Sequence, residues 1–312
     1  MRKLSFIPLL LLAIVSCTDD DDCTMEEAKM SQIPLVTATI DGTRNYNGPL
    51  EVLPCQENSS VYIGNYNTQG AQTPFPAFYN IKNGKAEPSA MALRLPSGTY
   101  NILYRGAPTY FTTNTGVLRD PSLSIGGDLS KTEYTLVPYI ADTTFHPAYE
   151  LVYATQTFTV GNDSLHANLH HVTAALNVTV QNSNGTAITS AVDSMWVHIG
   201  SIAYALNAYS GNPTQQNKTV AFPLNESLDS KTWSAENISL LPSAPQPLMT
   251  LFIQLSNGTV KKYSRNLTHT LSAGTLTSIT LFLNGISIES QTGNFTVDDW
   301  IEQSEEINVP PL

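Results

Sequence analysis

The chain is short of charge, cysteine and histidine for its length. Of 312 residues 13 % are charged, and 15 Lys and Arg face 26 Asp and Glu. An average soluble domain carries about 25 % charged residues. That shortage excludes a coiled coil, which needs charged residues flanking apolar heptads. Nucleic-acid binding is disfavoured as well, because a net charge of −11 offers phosphates no attractive field. The three Cys form no CxxC pair and the six His are scattered, so zinc-ligand spacing is missing. No GxSxG, HExxH, P-loop, GxGxxG or EF-hand pattern occurs. Sustained 3.6-residue apolar periodicity is also lacking.

What is present suits strands. Hydrophobic residues make up 41 %, enough for a core. Polarity is carried by Thr, Ser and Asn, while Thr, Val, Tyr and Ile favour pleated surfaces. The 18 Gly and 19 Pro supply turns. An all-β chain follows, with room for one large domain or two of about 130–150 residues.

The N-terminus points to export. Arg2 and Lys3 precede an apolar stretch from Leu4 to Val15, interrupted by Ser5 and Pro8. It is too short for a transmembrane helix of roughly 20 residues and fits a signal-peptide core. The boundary Ile14-Val15-Ser16-Cys17 resembles the bacterial lipobox. That resemblance implies acylation of Cys17, which becomes the first residue of the mature chain. Each buried CH₂ then contributes about 0.8 kcal/mol to membrane attachment. Asp19 to Asp22 follow directly. Acidic residues after an acylated cysteine resemble the export signal of Bacteroidetes surface lipoproteins, which implies an outer-membrane lipid anchor displayed at the cell surface. Cleavage removes Arg2 and Lys3 and deepens the net charge from −11 to −13. Cys23 and Cys55 remain in an oxidising compartment, either as one disulfide or as two free thiols.

Alternation places the strands. Ile33 to Ile40 reads as a strand ended by Asp41-Gly42. In Met91 to Arg105, Leu93 and Leu95 precede the turn Pro96-Ser97-Gly98, and Tyr100, Ile102 and Tyr104 follow on one face. This predicts a hairpin with one buried face. Leu151 to Val160 puts Val152, Ala154, Gln156 and Phe158 together. Ala174, Leu176, Val178 and Val180 predict a half-buried strand. Asn257-Gly258 between two alternating runs predicts a type I′ hairpin over Leu248 to Leu267. Asn294 to Trp300 is a late strand candidate, and the acidic tail after it reads as frayed. The division is a signal peptide (1–16), an acidic lipid-anchored leader (17–32), two β-sandwiches (33–163 and 164–300) and a tail (301–312). The turn cluster at 161–164 marks the boundary between the sandwiches.

Residues that could carry chemistry do not converge. On a strand, His166 and His170 lie well over 10 Å apart, and His170 and His171 face opposite ways. Asp298 and Asp299 likewise diverge, so no acid–base pair forms. Neither enzyme activity nor a cofactor is expected. Trp196, among Val and Ile, reads as core. Trp233, in SKTWSAEN, reads as exposed and is the candidate platform for stacking a sugar. Asp142-Thr143-Thr144, Asp163-Ser164-Leu165 and Asp193-Ser194-Met195 resemble the short O-glycosylation sequon of Bacteroidetes, which makes Thr143, Ser164 and Ser194 candidate acceptors.

The chain resembles Bacteroidetes fimbrillin-superfamily lipoproteins, the subunits of type V pili. The matching residues are Ile14-Val15-Ser16-Cys17 with its acidic follower, Leu95-Pro96-Ser97-Gly98-Thr99-Tyr100 and the strand from His171 to Val180. Leu240-Leu241-Pro242, Leu271-Ser272-Ala273-Gly274-Thr275-Leu276-Thr277 and Trp300 complete the match. The resemblance implies two tandem transthyretin-like (Greek-key) β-sandwiches and a structural role without catalysis. It also implies assembly with other fimbrial subunits by β-strand exchange. Stalk subunits of that family are cleaved after an N-terminal Arg, vacating a groove that a neighbour's strand fills. Arg44 is the first arginine after the expected signal peptide. Its alternative reading is a turn residue. Anchor subunits keep their lipid and are not cleaved. The competing function is a surface glycan-binding lipoprotein of a polysaccharide-utilisation system.

Overall fold

The computed structural model describes residues 30–108, 116–140, 143–188, 191–283 and 301–308, the last by backbone alone. The lipobox, Cys17, Cys23, Asp142 and the stretch from Asn294 to Trp300 lie outside the described residues. Fifteen strands carry the architecture. The first eight are β1 (Leu35–Ile40), β2 (Gly48–Gln56), β3 (Ala77–Lys82), β4 (Thr99–Gly106), β5 (Glu133–Leu136), β6 (Val152–Thr159), β7 (Leu165–His171) and β8 (Ala174–Asn182). The others are β9 (Val192–Asn207), β10 (Pro213–Pro223), β11 (Thr232–Leu240), β12 (Leu248–Leu255), β13 (Val260–Asn266), β14 (Thr275–Leu283) and β15 (Ile301–Asn308). The only helical turn among the described residues is the 3₁₀ turn Leu129–Lys131. The chain is all-β, as its composition indicates.

Three large sheets result. The first runs β1-β7-β6-β4-β2-β3, ended by Arg44–Asn45 on one side and Lys85–Ala86 on the other. In the second, the long strand β9 takes β10 along one edge, with β5 and β12 sharing the other, and β13 follows β12. The third runs β11-β8-β14-β15. Two apolar cores lie between these layers. One face of the first sheet buries Leu50, Val52, Ile102, Tyr104 and Phe158 in the first core. Its other face gives Leu53, Leu103 and Tyr153 to a larger core shared with the second and third sheets.

That double coverage corrects several expectations. Strand β4 is buried on both faces, not one, and Arg94–Leu95 does not fold back on it. Arg94–Leu95 pairs with Ser31–Gln32, and β4 pairs with β2 and β6. In β8 the second face is covered too: Ala175 is 2 % exposed and Asn177 6 %, and the strand is flanked by β11 and β14 within its sheet. The turn at 161–164 joins β6 to β7 within one sheet, in the register Val152↔His171. Conversely β5, earlier in the chain, pairs with β9 in the second sheet. Turn residues mark a reversal of the chain, but which strands then pair is set by packing. The acidic tail is not frayed through Asn308, since β15 runs parallel to β14 at the edge of the third sheet.

The hairpin β12–β13 forms where expected, with a different turn. Gly258 has φ +84°, while Asn257 is not left-handed. The bonds Gly258 N→Leu255 O (2.8 Å) and Leu255 N→Thr259 O (2.8 Å) close a three-residue loop. Such loops place Gly at the single left-handed position. Asp41 (φ 48°) and Gly42 (φ 73°) are both left-handed, the type I′ pattern, and reverse the chain after β1.

Candidate functional site at the N-terminal strand

The segment 33–40 is held from both sides. Strand β1 runs parallel to β7, from Leu35↔Leu165 to Ile40↔Leu169. On its far side Tyr46 N donates to Ala38 O (3.0 Å), and Ala38 N donates to Gly84 O (2.8 Å). Ile33 N donates to Leu93 O (2.8 Å), and Tyr79 OH donates to Ile33 O (2.7 Å). Ile33, Leu35, Ala38 and Ile40 are all buried and pack in the first core with Tyr79, Ile81, Leu93 and Leu169. Alternation holds from Thr37 to Ile40, where Ala38 and Ile40 turn inward and Thr37 and Thr39 face His166 and Asn168, while a shift of register after Leu35 leaves Val36 exposed and turns Leu35 inward as well.

Arg44 closes the hairpin that follows, opposite Ile40, and its Nε is buried. Near it lies an ionisable pair that no local motif announces. Glu150 Oε1 is 3.0 Å from His171 Nδ1, with side chains 4 % and 2 % exposed. Burial pushes the Glu150 carboxyl above its ordinary range, and His171 and then Arg44 oppose that shift. The alternating faces expected of β7 put His170 outside, edge-on to Tyr153, and His171 inside. Glu150 was not legible as its partner, since only the register of β6 on β7 brings them together.

The other sequence-derived positions are dispersed. Cys55 is fully buried, and its thiol is pushed up to about 12 by burial and, secondarily, by Asp128. Thr143 and Ser164 are exposed, whereas Ser194 is half-buried in β9 opposite Gln254. The two described tryptophans exchange their expected places. Trp233 is 7 % exposed and packs in the larger core, so it presents no face for a sugar. Trp196 is half-buried and stacks on Phe252, with ring centroids 5.1 Å apart and planes 3° from parallel. The reason is phase. Met195, Val197 and Ile199 turn inward, which sends Trp196 outward, while Thr232 and Ser234 leave Trp233 on the inner face. Among the described residues no group of three or more His, Cys, Asp or Glu is placed to hold a metal ion, and no helix is long and apolar enough to cross a membrane.

Comparison with known proteins places this arrangement. A Bacteroides ovatus protein described as an adhesin is similar in structure at 11 % identity, with a TM-score of 0.47, covering 96 % of this chain and 100 % of that one. The fimbrial anchor protein Mfa2 from Porphyromonas gingivalis is similar at 12 % identity and a TM-score of 0.46, over 75 % of this chain and 82 % of that one. A cell adhesion protein described from Bacteroides uniformis is similar at 13 % identity and a TM-score of 0.46, over 81 % and 94 %. No curated protein sequence matches the chain. The family model of the fimbrillin-A associated anchor proteins Mfa1 and Mfa2 matches residues 26–306, and the chain therefore belongs to that family.

Proposed function

We propose that this fimbrial-type surface protein is a lipid-anchored subunit or anchor of a pilus, held to the outer membrane through Cys17 and joined to other subunits by β-strand exchange. One observation carries the reading. The segment 33–40 lies one short strand in from the border of the first sheet, and its apolar side chains fill a core otherwise built from later strands. A segment of that kind can be withdrawn or replaced by another chain, because main-chain bonds and alternating pockets do not depend on covalent connection. Between the two roles we favour the anchor. A protease specific for arginine must take the guanidinium into its own pocket, and Arg44 keeps its Nε buried beside Glu150. Thr143 and Ser164, exposed in turns, are the positions we propose for O-linked glycans.

Mass spectrometry of the mature N-terminus from native cells tests the assignment. An acylated Cys17 with the chain intact through Arg44 supports the anchor. A new N-terminus at Asn45, abolished by Arg44→Ala, supports a stalk subunit. A chain without lipid that never co-purifies with fimbrial subunits defeats both.

A further inference from the structure

A cleft of about 240 Å³ opens beside the short ribbon Asn65–Tyr66/Gln72–Thr73. Tyr66, Asn67, Thr68, Phe75, Met91 and Arg94 line it. Phe75 is 65 % exposed and Met91 46 %. Exposed apolar side chains that adjoin in a concave site mark a binding surface more often than a structural one.

The polar groups narrow the ligand. Arg94 is the single charged residue in the lining, in a chain whose net charge is −11. Its guanidinium is fixed by Nη1 donating to Ala92 O (3.3 Å) and Nη2 donating to Gln32 Oε1 (3.4 Å). A guanidinium has five N–H groups, so this leaves donors for an incoming carboxylate. The Asn67 side chain is fixed as well: its Oδ1 accepts from Gln69 N and Ala71 N, both at 2.9 Å. Its amino group is then available as a donor. The ribbon that presents these groups is locked by Asn65, whose Oδ1 accepts from Arg94 N (2.8 Å) and whose Nδ2 donates to Ala92 O (3.2 Å).

We propose that this cleft binds an acidic pyranose, a uronic or sialic acid unit of a glycan. The C–H face of the ring packs on Phe75 and Tyr66, its hydroxyls meet Asn67 and Thr68, and its carboxylate meets Arg94. The cleft adjoins the N-terminal segment through Gln32, which pairs with Arg94, so the test keeps that segment in place.

Saturation-transfer NMR on the full mature chain tests it, with oligogalacturonate and sialyllactose as probes. Methyl-esterified oligogalacturonate and lactose are the neutral controls. We expect transfer to at least one acidic probe, and which one responds identifies the source. Affinity should fall about tenfold or more for its neutral counterpart, for Arg94→Gln and for Phe75→Ala, with unchanged circular dichroism. No transfer to either acidic probe, equal binding of the neutral controls, or binding untouched by both substitutions overturns the proposal.

Discussion

Glu150 and His171 meet with 3.0 Å between Oε1 and Nδ1 and almost no access to water. Glu150 precedes β6 and His171 ends β7, so their meeting fixes the register of these neighbours at the end where Val152 faces His171. Removing one partner leaves the other as an unpaired buried polar group, which typically costs about 1–3 kcal/mol. His171→Ala should therefore lose about that much in urea unfolding. A loss below about 1 kcal/mol would show that the pair is not coupled.

The same carboxyl predicts a pH dependence. Its folded-state pKa lies above the ordinary 4.5, mainly through burial. The folded chain then binds this proton more tightly than the unfolded chain. The stability it contributes grows as pH falls toward about 4.5 and is lost as pH rises through the folded value. Relative to Glu150→Gln, the unsubstituted chain should gain stability between about pH 7 and about pH 5. Denaturant midpoints measured for both proteins across that range check it, and a difference that shrinks in favour of the variant contradicts it.

Gly64 has φ +76°, and a Cβ there would sit 2.2 Å from the carbonyl oxygen of Thr73. Gly64→Ala should cost more than about 2 kcal/mol and disrupt the Asn65–Tyr66/Gln72–Thr73 ribbon. Gly126 has a similar φ of +81° but open space around it. Gly126→Ala should cost only about 1–2 kcal/mol, the conformational part. Paired thermal melts separate the steric cost from the conformational one.

Arg105 joins two sheets. It pairs with Glu51 in the first sheet and donates to Tyr134 OH in the second, with its guanidinium carbon 5.2 Å from the Tyr134 ring centroid. Its side chain is 11 % exposed. Arg105→Ala should cost about 3 kcal/mol and Tyr134→Phe about 1 kcal/mol. A double-mutant cycle should return a coupling of at least about 0.5 kcal/mol, and additivity would mean the sheets are not tied here.

Cys55 should resist alkylation in the folded protein, because its thiol is buried and pushed up to about 12. Label should appear with denaturant alone if the thiol is free, and only with denaturant plus reductant if Cys55 is bridged to Cys23. Rapid labelling of the native chain would contradict its burial.

Much of the local structure could be read before folding was considered. The alternation in Leu151 to Val160 gave the inward set Val152, Ala154 and Phe158, all buried in one core. Asp41-Gly42 turned the chain as its residues require. The hairpin on Asn257-Gly258 formed in register, although its turn type depended on a backbone choice those two residues leave open. The composition around Trp196 and Trp233 does not tell their faces, because the phase of alternation decides which way a side chain turns. Glu150, Arg94 and Phe75 carried no local signal, since each gains its meaning from residues distant in sequence.

By itself the amino-acid order determined an all-β chain and the inward face of many of its strands, because side-chain alternation and turn chemistry act over a few residues. Tertiary structure alone decided that β7 joins the first sheet and β5 the second, that β4 and β8 are covered on both faces, and that Glu150 finds His171. Those outcomes depend on which distant edges pair and which apolar faces meet, and such long-range choices are made by burial of the whole surface at once.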